Sequence, residues 1–397
     1  MTTSTTRDVL APVLERLPRG ARRAIERSPT AARALRDVTA LIGSWTSQRP
    51  GFQVYRRDEL RFPGERRLRV VEVRRETADA VSLFLERPAG DTFVAGQFLT
   101  FVLHVGGHEV RRSYSLSSSP DEPALRVTVK RVSGGLASTF MTEAVRVGDL
   151  LRTRGPSGSF TFDPADAPRH LLLVGGGSGI TPLFGILKTA LRANPAADVT
   201  LLFANRSEAD TIFRADLAAL EASHPGFRVI HVHESSPGVA GQRRVVAADL
   251  EAALGGRSPG EVRAYVCGPE PMMAMVMETL VALGLPRAAI LSERFASLRA
   301  SETAAMKLPN SQVTLRIGGR EAAVSPGQTL LEGALASKVD LDFSCTMGGC
   351  GACKLRLASG EVLMDEPNCL TEDERRAGVV LTCISRPLTD VTLEAPR

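Results

Sequence analysis

Four cysteines constrain this chain more than any other feature. Cys345, Cys350, Cys353 and Cys383 are separated by four, two and twenty-nine residues. Two tetrahedral irons bridged by inorganic sulfide need four thiolates around one small cluster. Three from one tight loop and a fourth from a distant segment meet that need, and the spacing is that of a [2Fe–2S] ligand set. Gly348, Gly349 and Gly351 let the loop curl so that backbone N–H groups approach the sulfurs. A structural zinc ion also takes four cysteines, but zinc sites usually pair one C-x2-C with another, and only one such pair is present here. Cys369 fits no ligand slot and reads as a small packed hydrophobe.

A chain of 397 residues is too long for one core, so several domains are expected. Six cysteines are too few for a disulfide scaffold. The N-terminus has no apolar signal-peptide core, so the pattern reads as intracellular metal chemistry and a cytoplasmic location. No run of 18 apolar residues exists, which excludes a membrane-spanning helix. The net charge of +5 is too small to imply nucleic acid as a partner, and it is concentrated: residues 1–60 hold 11 Arg and 6 acidic residues. Asp8, Glu15, Glu26 and Asp37 in that segment argue against an organellar transit peptide.

The hydrophobic period changes three times along the chain. Residues 1–60 place Leu10, Leu14 and Leu17, then Leu35, Val38, Ile42 and Trp45 at helical spacing, which predicts a helical N-terminal extension without a clear core of its own. Residues 64–165 carry short β-rich runs from Leu68, Ala80, Gln97, Arg111 and Leu125, the pattern of an antiparallel β-barrel. Residues 168–298 alternate strands from Leu171, Val199, Phe227 and Ala264 with helices from Thr181, near Asp210–Glu221, over Val245–Leu254 and over Pro271–Leu283. That is a parallel α/β sheet. After a polar linker, Ala300–Asn310, residues 311–397 open with strands from Val313 and Glu321 joined at Gly318-Gly319. A helix near Thr329–Ala336 and the cysteine loop follow.

Two glycine-bearing segments suit phosphates. Arg112 and Tyr114 lie on one predicted barrel strand, so the Arg can neutralise a pyrophosphate while the Tyr, two residues on, stacks on a flat ring from the same face. An exposed strand Arg and a core Tyr would look the same in isolation. Downstream, Lys130 leads to Ser133-Gly134-Gly135 and Ser138 at a helix start, an anion site. In the α/β region, Gly175-Gly176-Gly177-Ser178-Gly179-Ile180-Thr181-Pro182 follows a hydrophobic strand and opens a helix. Its glycines admit a diphosphate to the helix N-terminus. The second strand ends Asn205-Arg206-Ser207, with no acid at the turn to bind a ribose 2′-hydroxyl. Arg206 and Ser207 suit a 2′-phosphate instead, which favours NADPH over NADH. His231 and His233 share a strand face but have no third ligand, so they read as surface or packing residues.

Together these segments resemble the ferredoxin–NADP reductase superfamily. Residues 64–165 resemble its FAD-binding barrel through Arg112, Tyr114, Ser115 and the Gly134-Gly135 turn, although some relatives with another domain order hold FMN. Residues 168–298 resemble its NAD(P)-binding domain through the G-G-G-x-G-I-T-P run and Cys267-Gly268-Pro269. Residues 311–397 resemble plant-type ferredoxins of β-grasp fold, including the Gly360 turn and the Leu381-Thr382-Cys383 ending. The order flavin, nicotinamide, ferredoxin is that of oxygenase reductase components such as those of phenylacetyl-CoA epoxidase and 3-ketosteroid hydroxylase.

The resemblance implies FAD, a [2Fe–2S] cluster and NADPH or NADH as cofactors. It implies that a nicotinamide hydride reduces the flavin and that single electrons then pass through the cluster to a separate protein. It puts Ser115 and Thr181 near the flavin's reactive edge, Cys267 beside the nicotinamide, and Glu293 and Phe295 near the flavin at the end of the domain. A surface Glu and a core Phe would explain that last pair equally well. No residue need act as a strong acid or base; positioning and electrostatics suffice. The acceptor is an oxygenase, a hydroxylase, a cytochrome P450 or a membrane-bound desaturase. Some actinobacterial reductases that serve fatty-acyl desaturases carry helical N-terminal extensions. Residues 1–60 therefore favour a membrane-bound lipid enzyme and peripheral membrane contact, with a helical cap on the flavin domain as the plainer role. A redox-sensing or binding module with little turnover is the reading of a different class, and intact hydride-transfer motifs speak against it.

Overall fold

The computed structural model describes residues 65–105, 108–235, 243–295, 309–343, 345–346, 348–365 and 368–395. The helices expected over residues 1–60, and most of the linker, lie outside them. The elements that build the site fall within one compact unit, Leu60–Leu103 with Val110–Arg397.

Six strands form the barrel: β1 (Arg66–Arg75), β2 (Ala80–Glu86), β3 (Phe98–Val105), β4 (His108–Ser115), β5 (Ala124–Lys130) and β6 (Leu150–Ser157). They run in the order β4-β3-β6-β1-β2-β5, and a bridge between Leu116 and Val127 joins the two edges. Both faces of β2 and β5 are covered, with Leu83, Leu85, Leu125 and Val127 buried on one and Ser82, Arg126 and Thr128 on the other. Helix α1 (Leu136–Glu143) follows β5. β6 is not evident from sequence: its run LLRTRGPS places Arg152 and Arg154 where an apolar strand would put hydrophobes. Arg152 is neutralised by the buried Glu65 carboxylate at 2.6 Å.

The second domain is a five-stranded parallel sheet, ordered β11-β10-β7-β8-β9. Its strands are β7 (His170–Gly176), β8 (Asp198–Asn205), β9 (Phe227–His233), β10 (Val262–Cys267) and β11 (Ile290–Glu293). Helices α2 (Ile180–Ala193), α3 (Arg214–Ser223), α4 (Ala247–Leu254) and α5 (Glu270–Ala282) connect them. Helix α3 starts four residues later than the sequence suggests. A short 3-10 turn at Glu208–Asp210 comes first, and Phe213, buried in the left-handed region at φ 60, redirects the chain. Its ring stacks on Phe184 with centroids 4.3 Å apart, so packing outweighs local preference.

The C-terminal domain is a mixed sheet ordered β13-β12-β18-β14-β16, with a separate β15-β17 pair. β12 (Val313–Ile317) and β13 (Arg320–Val324) form the expected hairpin, with Gly318 and Gly319 both at positive φ in its two-residue turn. β18 (Val391–Glu394) then runs parallel to β12, and α6 (Leu330–Ala336) packs its Leu330 and Ala334 into the core. β14 is Lys354–Ser359, β15 Val362–Met364, β16 Val379–Leu381 and β17 Ser385–Pro387.

Barrel and parallel sheet are joined through Arg126 of β5, a buried guanidinium. It bonds Glu76 at 2.8 Å and Asp216 of α3 at 2.9 Å, and lies 4.3 Å from the Phe213 ring centroid. Arg126→Met would leave Glu76 buried without its cation. An orphaned buried charge costs about 3–5 kcal/mol, so the urea unfolding midpoint should fall clearly. An unchanged midpoint would show that the pair contributes nothing net.

Candidate active site

β7 and β10 lie side by side, yet their connections run to opposite sides of the sheet, since β8 follows β7 outward one way and β11 follows β10 the other. Ligands of such sheets bind outside the carboxyl ends of the strands at this switch point. Here those ends bring Gly175 opposite Cys267, and Cys267 opposite Glu293. The glycine loop and the Cys267-Gly268-Pro269 turn press together. A Cβ on Gly179 would come within 2.0 Å of the Cys267 carbonyl oxygen, and one on Gly176 within 2.7 Å of Pro269. Gly177 holds φ +53, and a Cβ there would lie 3.9 Å from Lys130 Nζ of the barrel. Thr181 is buried one residue into α2, its hydroxyl donating to the Ser178 carbonyl at 3.0 Å, and Pro182 follows it in the first turn, where no backbone N–H is needed.

The barrel supplies the facing wall. Ser115, at the end of β4, donates from Oγ to Glu293 Oε2 at 3.2 Å. Glu293 is half-buried. Burial pushes that carboxyl up to about 8, although the Ser115 hydrogen bond pulls the other way. Burial first, and then the Glu293 charge, push the Cys267 thiol well above its ordinary value. Ser115, Cys267 and Glu293, from three strands, thus share one apolar corner. The surface reading of Glu293 does not hold, whereas Phe295 is half exposed and lies past the strand end. Tyr114 packs edge-on against Phe101 at 5.7 Å, and burial pushes its phenol up. Among the described residues the fixed partner of the Arg112 guanidinium is the Arg111 carbonyl, at 2.6 Å, and no carboxylate neutralises it.

Gly135 is the N-cap of α1, with Gly134 before it at φ +71. Ser138 does not point outward: its Oγ donates to the Gly135 carbonyl and accepts from the Val132 N–H, so it shapes the turn. Gly134 and Ser133 line a cavity of about 440 Å³ together with Asp79, Arg131 and Arg206. At the end of β8, Asn205 is 5% exposed and neither of its amide atoms has a protein partner. Such an orphaned amide beside a glycine loop fits a polar ligand. Arg206 and Ser207 are engaged by an acid that the strand-end pattern does not single out. Asp210 accepts from Arg206 Nη2 and from Ser207 Oγ, both at 2.6 Å. It stands four residues past Arg206, and the 3-10 turn brings it back. His231 and His233 stack at 5.5 Å, and among the described residues no group of three metal-ligating side chains includes them.

In the cysteine loop, Cys353 Sγ and Cys383 Sγ are 3.3 Å apart. The Gly349 N–H points at Cys345 Sγ at 3.4 Å and the Cys345 N–H at Cys350 Sγ at 3.5 Å. Cys345, Cys353 and Cys383 are buried. Hydrogen bonding to its thiol neighbours, then burial, pushes Cys383 up. Gly348 sits at φ +72, where a Cβ would come within 2.6 Å of Ile384. Four gathered sulfurs with backbone donors aimed at two of them fit a small iron–sulfur cluster. Phe343 and Thr346 of this loop meet the barrel. Arg154 lies over the Phe343 ring at 4.5 Å, and Arg111 Nη1 is 3.4 Å from Thr346 Oγ1.

Three family models match in the same order as these domains. They are the oxidoreductase FAD-binding domain over residues 67–162, the oxidoreductase NAD-binding domain over 173–278, and the 2Fe-2S iron-sulfur cluster binding domain over 313–388. The ferredoxin reductase component of 3-ketosteroid-9-alpha-monooxygenase from Rhodococcus rhodochrous is 35% identical, covering 81% of this chain and 94% of that one. The chain belongs to the iron–sulfur flavoprotein reductases of the ferredoxin–NADP reductase superfamily. A component of the 1,2-phenylacetyl-CoA epoxidase from Escherichia coli K12 is 32% identical to this reductase, over 82% of it and 96% of the relative. An "NADPH oxidoreductase" of Mycobacterium tuberculosis H37Rv is 33% identical over 91% of the reductase and 92% of its own length. Among solved structures, phthalate dioxygenase reductase superposes with a TM-score of 0.59 at 26% identity, covering 83% of the reductase and 98% of that chain.

The position of Glu293 makes the stability of the reductase depend on pH. Its folded value of about 8 lies above the ordinary 4.5, so the folded state binds a proton that the unfolded state has lost. Stability relative to Glu293→Gln should fall as pH rises from about 4.5 and level off above about 8. Parallel denaturation profiles for the two proteins between those values would show that the carboxyl is already ionised in the fold.

Proposed function

We propose that the reductase takes electrons from NADPH in preference to NADH and delivers them to a membrane-bound lipid desaturase or hydroxylase. The hydride step of that path is supported by the corner at the switch point, where Ser115 from the flavin domain meets Cys267 and Glu293 from the nucleotide domain. When bound, FAD converts the two-electron chemistry of a nicotinamide into the one-electron chemistry of an iron–sulfur cluster.

In this reading each domain contributes position and charge. Arg112 neutralises the flavin diphosphate, Tyr114 flanks the ring, and the Gly134-Gly135 turn with α1 binds phosphate oxygens, while Ser138 holds that turn. Lys130 reaches from the barrel toward Gly177 and serves the nucleotide diphosphate bound by Gly175, Gly177, Gly179 and the α2 N-terminus. Thr181 and Pro182 fix the first turn of that helix. Gly268 and Pro269 hold Cys267 against the glycine loop, and the buried neutral thiol gives the nicotinamide an apolar neighbour. Glu293, protonated at neutral pH, bonds Ser115 without placing a charge beside the flavin. Phe295, past the strand end, covers the flavin. Cys345, Cys350, Cys353 and Cys383 ligate the cluster, whose loop lies against Arg111 and Arg154 of the barrel.

Arg206 and Ser207 select the 2′-phosphate. The relative named NADPH oxidoreductase supports this choice, and its match over 91% of the chain reaches into the N-terminal segment. The basic charge of residues 1–60 supports a role in docking to the acceptor or to an anionic membrane surface. Among the described residues no helix is long and apolar enough to cross a membrane.

Two variants test the electron path. Cys345→Ser should lose the EPR signal of the reduced cluster and the rapid reduction of cytochrome c, yet keep FAD and ferricyanide reduction. Cytochrome c reduction at the wild-type rate would overturn the order flavin before cluster. Arg112→Ala should purify with clearly less flavin, since it removes charge-assisted bonds worth roughly 1.5–3 kcal/mol each. Full flavin occupancy would remove Arg112 from the site.

A further inference from the structure

The arginine assigned to the 2′-phosphate is already held by a carboxylate from the other domain. Asp79 lies in the turn between β1 and β2 of the flavin barrel, and its Oδ2 accepts from Arg206 Nη2 at 2.8 Å. The same oxygen is 3.9 Å from Lys130 Nζ. Asp79 is fixed from behind. Thr77 Oγ1 donates to its other oxygen at 2.8 Å, and its carbonyl accepts from the Arg131 N–H at 2.7 Å. The Asp79 side chain is 19% exposed and that of Arg206 60%, so the carboxylate is the fixed partner and the arginine the mobile one.

Both carboxylate contacts of Arg206, to Asp79 and to Asp210, use the single nitrogen Nη2. The rest of the guanidinium has no carboxylate partner among the described residues. A 2′-phosphate on that guanidinium would gain its charge but would meet the Asp79 charge at close range. A nucleotide ending in a free 2′-hydroxyl meets no such repulsion and can donate to the carboxylate.

We infer that Asp79 is a specificity-determining residue for the nucleotide, a gate from the flavin domain that holds Arg206 Nη2 and sets its negative charge against a 2′-phosphate on the same guanidinium. The inference rests on Arg206 as the reader of that phosphate. Asp79 restrains the preference for NADPH that Arg206 creates, from across the boundary between the two domains.

The test is the ratio of dissociation constants for NAD+ and NADP+, measured by calorimetry on the flavin-loaded full chain. Asp79→Asn keeps the acceptor for Thr77 and removes the charge. It should raise the preference for NADP+ roughly five- to tenfold, the size of one charge-assisted bond discounted for partial exposure. Asp79→Glu should stay near the wild type. In an Arg206→Ala background, Asp79→Asn should add little, because the competitor has lost its target. If Arg206→Ala abolishes the preference while Asp79→Asn leaves it unchanged or lowers it, the gate is refuted and the role of Arg206 stands. If Arg206→Ala itself leaves the ratio unchanged, both fall. Should Asp79→Asn purify without flavin, Asp79→Ser, which keeps a short polar group in the turn, gives the same comparison.

Discussion

Arg126 sets the geometry on which the site depends. One buried guanidinium accepts the approach of a barrel carboxylate, an α3 carboxylate and two stacked phenylalanines, Phe184 and Phe213. A buried charge of this kind is tolerated only when its donors are used, so each partner is held to a narrow range of positions. Helix α2 is drawn onto the barrel beside it. Gly185 has no room for a Cβ, which would come within 2.7 Å of the Leu116 carbonyl. Lys188, one turn on, bonds Glu122 of the barrel at 2.5 Å. The helix that starts at the glycine loop is therefore fixed against the strand end that carries Ser115. The 3.2 Å bond from Ser115 to Glu293 follows from that docking rather than causing it.

The cleft that results separates its charges by depth. At the switch point the Cys267 thiol and the Glu293 carboxyl are shielded from water and favour their neutral forms. Toward the rim, Lys130, Arg131, Arg206, Asp79 and Asp210 are charged and partly solvated. A nicotinamide nucleotide has the same division, with an uncharged reactive end and an anionic remainder. In the proposed reading, matching the two ends would fix which way it lies without any base or acid at the reacting carbon. Desolvation at the inner end also strengthens every dipole that faces the flavin ring.

Much of this is legible in the sequence because the responsible residues act locally. The cysteine spacing, the glycine run before Thr181 and the Gly318-Gly319 turn each encode a backbone path within a few residues. What escapes the sequence depends on contacts distant along the chain. β6 is hidden because two arginines interrupt its pattern, and Glu65, far upstream, neutralises Arg152. The pattern places the start of α3 too early because the left-handed turn at Phe213 is stabilised by stacking on Phe184. Arg206 reads as open because its partners, Asp79 and Asp210, lie in another domain and beyond a 3-10 turn. The one local signal for Asp210 is its i+4 spacing from Arg206.

Two cations of the barrel meet the cluster loop. Arg111 neighbours Arg112 on β4, and Arg154 stands on β6, two strands away. Both Arg111 and Arg154 reach the loop that carries Cys345, at Thr346 and Phe343. Successive side chains on a strand point to opposite faces, so Arg111 and Arg112 serve different sides of one sheet. One side faces the thiolate loop and the other offers a guanidinium where the flavin domain needs one. A [2Fe–2S] centre held by four thiolates is anionic, and a flavin diphosphate is anionic as well. In the proposed reading, adjacent arginines on one strand would give each of two negatively charged groups a cation.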